Sequence, residues 1–159
     1  MLHILLDSYP PGALSHPRPD TGLVGWAAAC RAQGHQIYVP EVIDYEVRRE
    51  LLRANKMAGI SRLDALKAAF RFLPISSPAM LFAADLWARS RQSGLATGDP
   101  KKLDIDVVLA AQALTLGVPT SELVVATSNV GHFVAVCARA GLERHQLGNP
   151  QVLTAHGAM

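Results

Sequence analysis

Apolar residues in this chain fall in short runs separated by stretches with helical spacing. Residues 2–7 form an apolar run that stops at Asp7, the pattern of a first buried strand. Residues 8–20, with Pro10, Pro11, Gly12, Pro17 and Pro19, read as a loop extended over the surface. Thr21 is placed to cap a helix running through Trp26 to Gly34, a residue suited to a helix stop. Residues 36–39 read as a second strand ended by Pro40.

Val42, Ile43, Val47, Leu51 and Leu52 then make an apolar stripe at helical spacing, flanked by Arg48, Arg49 and Arg53. Leu63, Leu66, Ala69, Phe70 and Leu73 make another. Ser77-Pro78 opens a helix through Trp87, with proline at the first helical position. Residues 93–102 read as a polar loop, 105–116 as an Ala-rich helix, 123–126 as a buried strand and 132–140 as a closing helix ending at Gly141. Residues 142–147 read as a last strand. Short apolar strands alternating with helices predict an α/β fold: three layers, α/β/α, around a central, mainly parallel sheet. Sites in such sheets lie at the carboxyl ends of the strands. That rule directs attention to Asp7, the turn at 40–46, and 127–129.

A length of 159 residues matches one domain, placed at 1–147 with a tail at 148–159. Half the residues are hydrophobic, enough for one buried core and against extensive disorder. The net charge of +2 is unevenly spread: residues 41–102 hold eleven Lys or Arg against seven Asp or Glu, while the remainder is net acidic. A basic middle suits a polyanionic partner, although solvated helix faces produce the same pattern. Cys30 and Cys137 fit no metal-ligand spacing and read as buried, reduced thiols of a cytoplasmic protein. The amino-terminal run lacks a basic n-region and a small-residue cleavage site, and no uncharged apolar run reaches the ~18 residues of a membrane span.

The chemistry-bearing residues are acids. Asp7 ends a strand where a carboxylate gains nothing from the core, although an Asp there also starts turns. Asp104 and Asp106 open the Ala-rich helix, where first-turn carboxylates also serve the helix dipole. Asn129 follows the strand at 123–126 and is equally a helix cap. Glu46 and Glu50 lie one turn apart on one helix, and periodicity does not choose between them. Together these place oxygen ligands on separate segments that converge at one sheet edge. Hard cations such as Mg²⁺ or Mn²⁺ prefer such donors, and the lack of a Cys/His pattern argues against Zn²⁺.

The order strand-Asp, then V-P-E-V-I-D-Y-E-V (39–47), L-D-I-D-V-V-L-A-A-Q-A (103–113) and T-S-N-V-G-H-F (127–133), resembles PIN domains, including the VapC-type toxins of bacterial toxin–antitoxin pairs. The resemblance spans 2 to about 147, and D-V-V-L-A-A from Asp106 is its most specific part. It implies that Asp7, Glu46, Asp106 and Asn129 are catalytic. Asp7, Glu46, Asp104 and Asp106 become the metal-ligand candidates, with Ser8 and Thr127 as supporting hydroxyl residues. It favours Glu46 over Glu50 and makes His132 a packing residue. Three departures stand out: the proline-rich 9–20 insertion, the neutral Asn129, which removes one charge from the cluster, and the pair Asp104/Asp106, between which alignment alone chooses.

The reading these residues support is a Mg²⁺- or Mn²⁺-dependent endoribonuclease hydrolysing phosphodiesters through metal-activated water. Arg48, Arg49, Arg53, Lys101 and Lys102 are candidate contacts to the RNA backbone. The resemblance further implies a homodimer and a small antitoxin partner. The alternative is a PIN-fold nucleic-acid-binding or protein-interaction domain without catalysis. A third reading rests on Asp104-Ile105-Asp106 as the D-x-D of haloacid-dehalogenase-like phosphatases. It ranks last, because that motif belongs after an aliphatic strand and here follows Pro100-Lys101-Lys102.

Overall fold

The opening apolar run folds as β1 (His3–Leu6), all four residues buried, in a computed structural model that describes residues 1–92, 100–128 and 147–148, the side chains of 100–102 and 147–148 excepted. β1 pairs in parallel with β2 (Gln36–Pro40) on one side and with β4 (Leu123–Ala126) on the other. β3 (Arg71–Leu73) extends the sheet beyond β2, and β5 (Leu147–Gly148) extends it beyond β4. The order is β3-β2-β1-β4-β5, parallel throughout.

Continuous apolar strands are what a parallel sheet covered on both faces requires. Successive side chains point to opposite faces. Leu5, Tyr38, Leu123 and Val125 therefore join one core with residues of α3 (Glu41–Arg53), α5 (Ser77–Gln92) and α6 (Pro100–Leu114). Ile4, Leu6, Ile37, Val39, Val124 and Ala126 join a second core with Leu23, Trp26, Ala27 and Cys30 of α2 (Thr21–Ala32). The three-layer α/β/α architecture expected from the alternation is the one observed. Burial raises the Cys30 thiol above its ordinary pKa and keeps it protonated.

Several expectations need correction. The proline-rich segment is not a plain loop: residues 9–14 form α1 (Tyr9–Leu14), with Pro10 and Pro11 buried in its first turn. There a missing N–H costs nothing, because the first N–H groups of a helix have no helical partner. The cap of α2 is Asp20, not Thr21; its Oδ1 accepts from the Leu23 N–H at 3.1 Å. The stripe from Leu63 to Leu73 is split into α4 (Met57–Ala69) and β3, while Leu52 is exposed. α6 begins at Pro100, so Lys101 and Lys102 lie in a helix rather than a loop. Of the expected last strand, Leu147 is in β5 and reaches one residue further to Gly148; residues 142–146 lie outside the described residues. So do Cys137 and the helix expected at 132–140.

Candidate active site

The chain runs outward from β1 through β2 to β3 on one side, and β4 and β5 lie on the other, so the strand order reverses between β1 and β4. Parallel sheets open a crevice at the carboxyl end of such a switch. Asp7 follows β1 there, and Thr127 follows β4. The fully buried Thr127 hydroxyl donates to Asp7 Oδ2 at 2.6 Å, and the Ser8 N–H donates to Oδ1 at 2.6 Å. The Asp7 N–H donates to the Ala126 carbonyl at 3.0 Å, continuing the β1–β4 ladder past the strand end. Each carboxylate oxygen thus takes one donor, which fixes its plane and leaves lone pairs for a ligand.

β2 delivers α3 to the same edge. Glu46 lies in its second turn and is half-buried, whereas Glu50 is exposed and paired with Arg53 at 2.8 Å. Because α6 starts at Pro100, Asp104 and Asp106 are its fifth and seventh residues, past the first turn where free N–H groups and the dipole account for an acid. Two residues on a helix are about 200° apart, so these acids leave α6 in different directions. Asp104 is exposed and lines a shallow groove of about 310 Å³ with Met80, Ala83 and Trp87 of α5. Asp106 is half-buried.

Two structural anchors of this edge were not recognised in the sequence. Gln112 is buried in the last turn of α6; its Oε1 accepts from the Val42 N–H at 3.4 Å and its Nε2 donates to the Leu73 carbonyl at 2.8 Å. One amide therefore ties α6 to the start of α3 and the end of β3. The available signal was an amide inside an otherwise apolar helix segment. The second anchor is Asp44, buried on α3. Arg48 donates to both its oxygens at 3.1 and 2.9 Å, and Lys67 of α4 stands 3.3 Å away. Arg48 also bonds Asp64 of α4; those carboxylates raise the guanidinium pKa, and the bond to Arg48 lowers that of Asp64.

The arginines proposed as backbone contacts are therefore not equivalent. Arg48 is committed to this network and Arg53 to Glu50, while Arg49 lies over the Tyr45 ring at 5.2 Å. The side chains of Lys101 and Lys102, and the whole of Asn129 and His132, lie outside the described residues.

Among the described residues no three of His, Cys, Asp and Glu stand close enough to cage a metal ion. The available donors are carboxylate oxygens. Mg²⁺ keeps several waters and is held through only one or two carboxylates, so an oriented Asp7 with acids on neighbouring elements fits such an ion by its chemistry without a closed cage.

A parallel sheet of this order, covered on both faces and carrying a held carboxylate at its switch, defines a three-layer domain of PIN-like fold. No protein-family model matches the sequence, and no curated protein matches it. Solved structures do match, over nearly the whole chain. VapBC2 from Rickettsia felis, bound to a DNA fragment from its promoter, gives a TM-score of 0.68 at 16% identity, covering 93% of this chain and 98% of that one. FitAcB from Neisseria gonorrhoeae gives 0.63 at 21% identity, covering 92% and 97%. FitAB bound to an IR36 DNA fragment gives 0.61 at 21%, covering 93% and 95%. At these identities the likeness is one of fold. No helix among the described residues is long and apolar enough to cross a membrane.

Proposed function

We propose that this chain is a metal-dependent endoribonuclease that hydrolyses RNA phosphodiesters, and that it acts in the cytoplasm as the toxin of a toxin–antitoxin pair. The observation that carries the reading is Asp7, set at the carboxyl end of the central strand, at the switch of the sheet, with its carboxylate held by Thr127 and Ser8. Nothing in the packing of β1 calls for an acid at that point.

Asp7, joined by Glu46 or Asp106, would hold Mg²⁺ or Mn²⁺ through one or two carboxylates with waters completing its shell, and Asn129 would assist from the segment after β4. Of the two acids on α6, the reading takes Asp106, since Asp104 faces the groove beside Trp87. A bound ion would supply an activated water and offset charge developing on the phosphodiester. The chain's own contribution is to orient. Thr127 fixes the plane of Asp7, and Gln112 holds α6 against the start of α3, on which Glu46 lies. The antitoxin partner is supported by the VapC resemblance in the sequence and by a VapBC complex among the structures of like fold. A homodimer belongs to the same reading.

The test is cleavage of labelled single-stranded RNA with Mn²⁺ or Mg²⁺, with EDTA and Asp7→Asn as controls. Cleavage that needs the ion and is lost in the variant is the expected result. Folded protein that cleaves none of several RNAs would instead favour the non-catalytic nucleic-acid-binding or protein-interaction reading. Activity surviving in Asp7→Asn would remove the site assignment.

A further inference from the structure

α3 carries Tyr45 and Arg49 on the flank of Glu46. At about 100° per residue they lie about 100° and 60° round the helix from Glu46, both on the same side. Tyr45 is 56% exposed, and Leu52, one turn past Arg49, is 54% exposed, so both ends of the stripe reach solvent, with Arg49 half-buried between them. A tyrosine ring left in water beside an acid of the candidate site has no role in either core.

Arg49 differs from its neighbours on the helix. Arg48 is held by Asp44 and Asp64, and Arg53 by Glu50, whereas Arg49 has no carboxylate partner among the described residues. Its Nε is buried with no hydrogen-bond partner among them, and its guanidinium rests over the Tyr45 ring at 5.2 Å, within cation–π range. The two groups hold each other in place: an aromatic face and an unneutralised fork of N–H donors, one and three residues from Glu46. That is the equipment of single-strand recognition, a ring on which an unpaired base stacks beside a cation that takes the adjoining phosphate.

We infer that Tyr45 and Arg49 form the strand-gripping subsite of this protein, with Tyr45 stacking on an unpaired base of single-stranded RNA and Arg49 bonding the neighbouring phosphate. The position of this subsite beside the scissile bond rests on the ribonuclease reading, but strand binding does not require cleavage. A duplex offers the ring no base face, so the subsite selects single strands over duplex RNA.

Binding is measured by fluorescence anisotropy of labelled single-stranded RNA on the full chain carrying Asp7→Asn, which removes cleavage from the assay. Tyr45→Ala in that background is expected to weaken binding about tenfold, and Tyr45→Phe, which keeps the ring, to retain it. Arg49→Gln is expected to weaken binding and to reduce the salt slope by about one, while Arg31→Gln on α2 serves as a charge control with little effect. Single-stranded RNA should outcompete duplex of the same sequence on the parent, and this preference should vanish in Tyr45→Ala. Equal affinity of parent, Tyr45→Ala and Arg49→Gln overturns the inference, as does no binding by the Asp7→Asn chain. A Tyr45→Ala change that alters oligomeric state in size-exclusion chromatography but not RNA affinity also overturns it, making the stripe a contact with a second copy. RNA binding that depends on Tyr45 without any cleavage by the parent would sink the nuclease reading alone. Cleavage with binding indifferent to Tyr45 and Arg49 would sink this inference alone.

Discussion

A carboxylate at the end of a buried strand is useful only if something holds it, and here Thr127 does so from a position with no solvent exposure. Thr127→Val keeps the shape and removes the donor. Hydrogen bonds to charged groups contribute about 1.5–3 kcal/mol, part of which the buried valine methyl returns, so a net loss of about 1 kcal/mol is expected in urea unfolding. RNA cleavage should fall further, by about tenfold, because Asp7 loses its fixed plane. Thr127→Ser, which restores the hydroxyl, should recover most of the cleavage; a serine variant as poor as the valine one would mean that the contact serves packing only. The sequence made Asp7 visible as an acid that stops an apolar run, but not its bond to a residue 120 positions away. Gln112 and Asp44 escaped for a related reason: a buried polar side chain is explained by its partner, and the partners lie on β3, α3 and α4.

At the scale of elements, α4 is the piece whose attachment is most electrostatic. It buries only Gly59 and Leu63, and reaches its neighbours through Lys67 to Asp44, Asp64 to Arg48, and Arg62 to the Ser15 carbonyl at the end of α1. Arg48→Met leaves the buried Asp44 with Lys67 as its remaining cationic neighbour among the described residues. Unpairing a buried charge costs about 3–5 kcal/mol; with the Arg48 side chain 27% exposed and Lys67 in place, about 2 kcal/mol is expected. Asp64 supplies a pH dependence. Its folded pKa is depressed by Arg48, so its contribution is complete above the unfolded value and is lost as pH falls through the folded value, in the region below about 4. The stability gap between parent and Arg48→Met should therefore be widest near neutrality and narrow in acid, and urea unfolding at both pH values measures it. Solvent screening of the exposed Asp64 keeps its share small. A gap independent of pH would remove the Asp64–Arg48 pair from the stability difference. The elements that sequence reading missed have local causes. β3 is a three-residue edge strand with two exposed side chains, indistinguishable by period from the end of α4. α1 hid behind prolines that a first helical turn tolerates.

For the whole molecule, the three layers were legible because strands buried on both faces read as uninterrupted apolar runs. Their order was not, since an apolar run carries no record of its neighbours, and that order is what brings Thr127 to Asp7 by setting β4 beside β1. This separation of fold from site has a measurable consequence. Asp7 lies past the last core position of β1, at an edge that α3 and α6, the helices bearing Glu46 and Asp106, also reach. Its negative charge therefore adds nothing to the burial of β1. In Asp7→Asn the amide oxygen still accepts from the Ser8 N–H, while the amide nitrogen donates to Thr127 Oγ1, since a hydroxyl can accept as well as donate. The contacts survive with one reversed, and the charge is gone. Asp7→Asn is therefore expected to melt no lower than the parent, within about 2–4 °C or above it, the span of about 1 kcal/mol at this chain length. Loss of cleavage without loss of stability is the pattern of an acid retained for function at some expense to the fold. A thermal melt followed by circular dichroism, on the same preparation used for the RNA assay, decides it. A drop well beyond that range would make Asp7 a structural acid, and the active-site reading would lose its anchor.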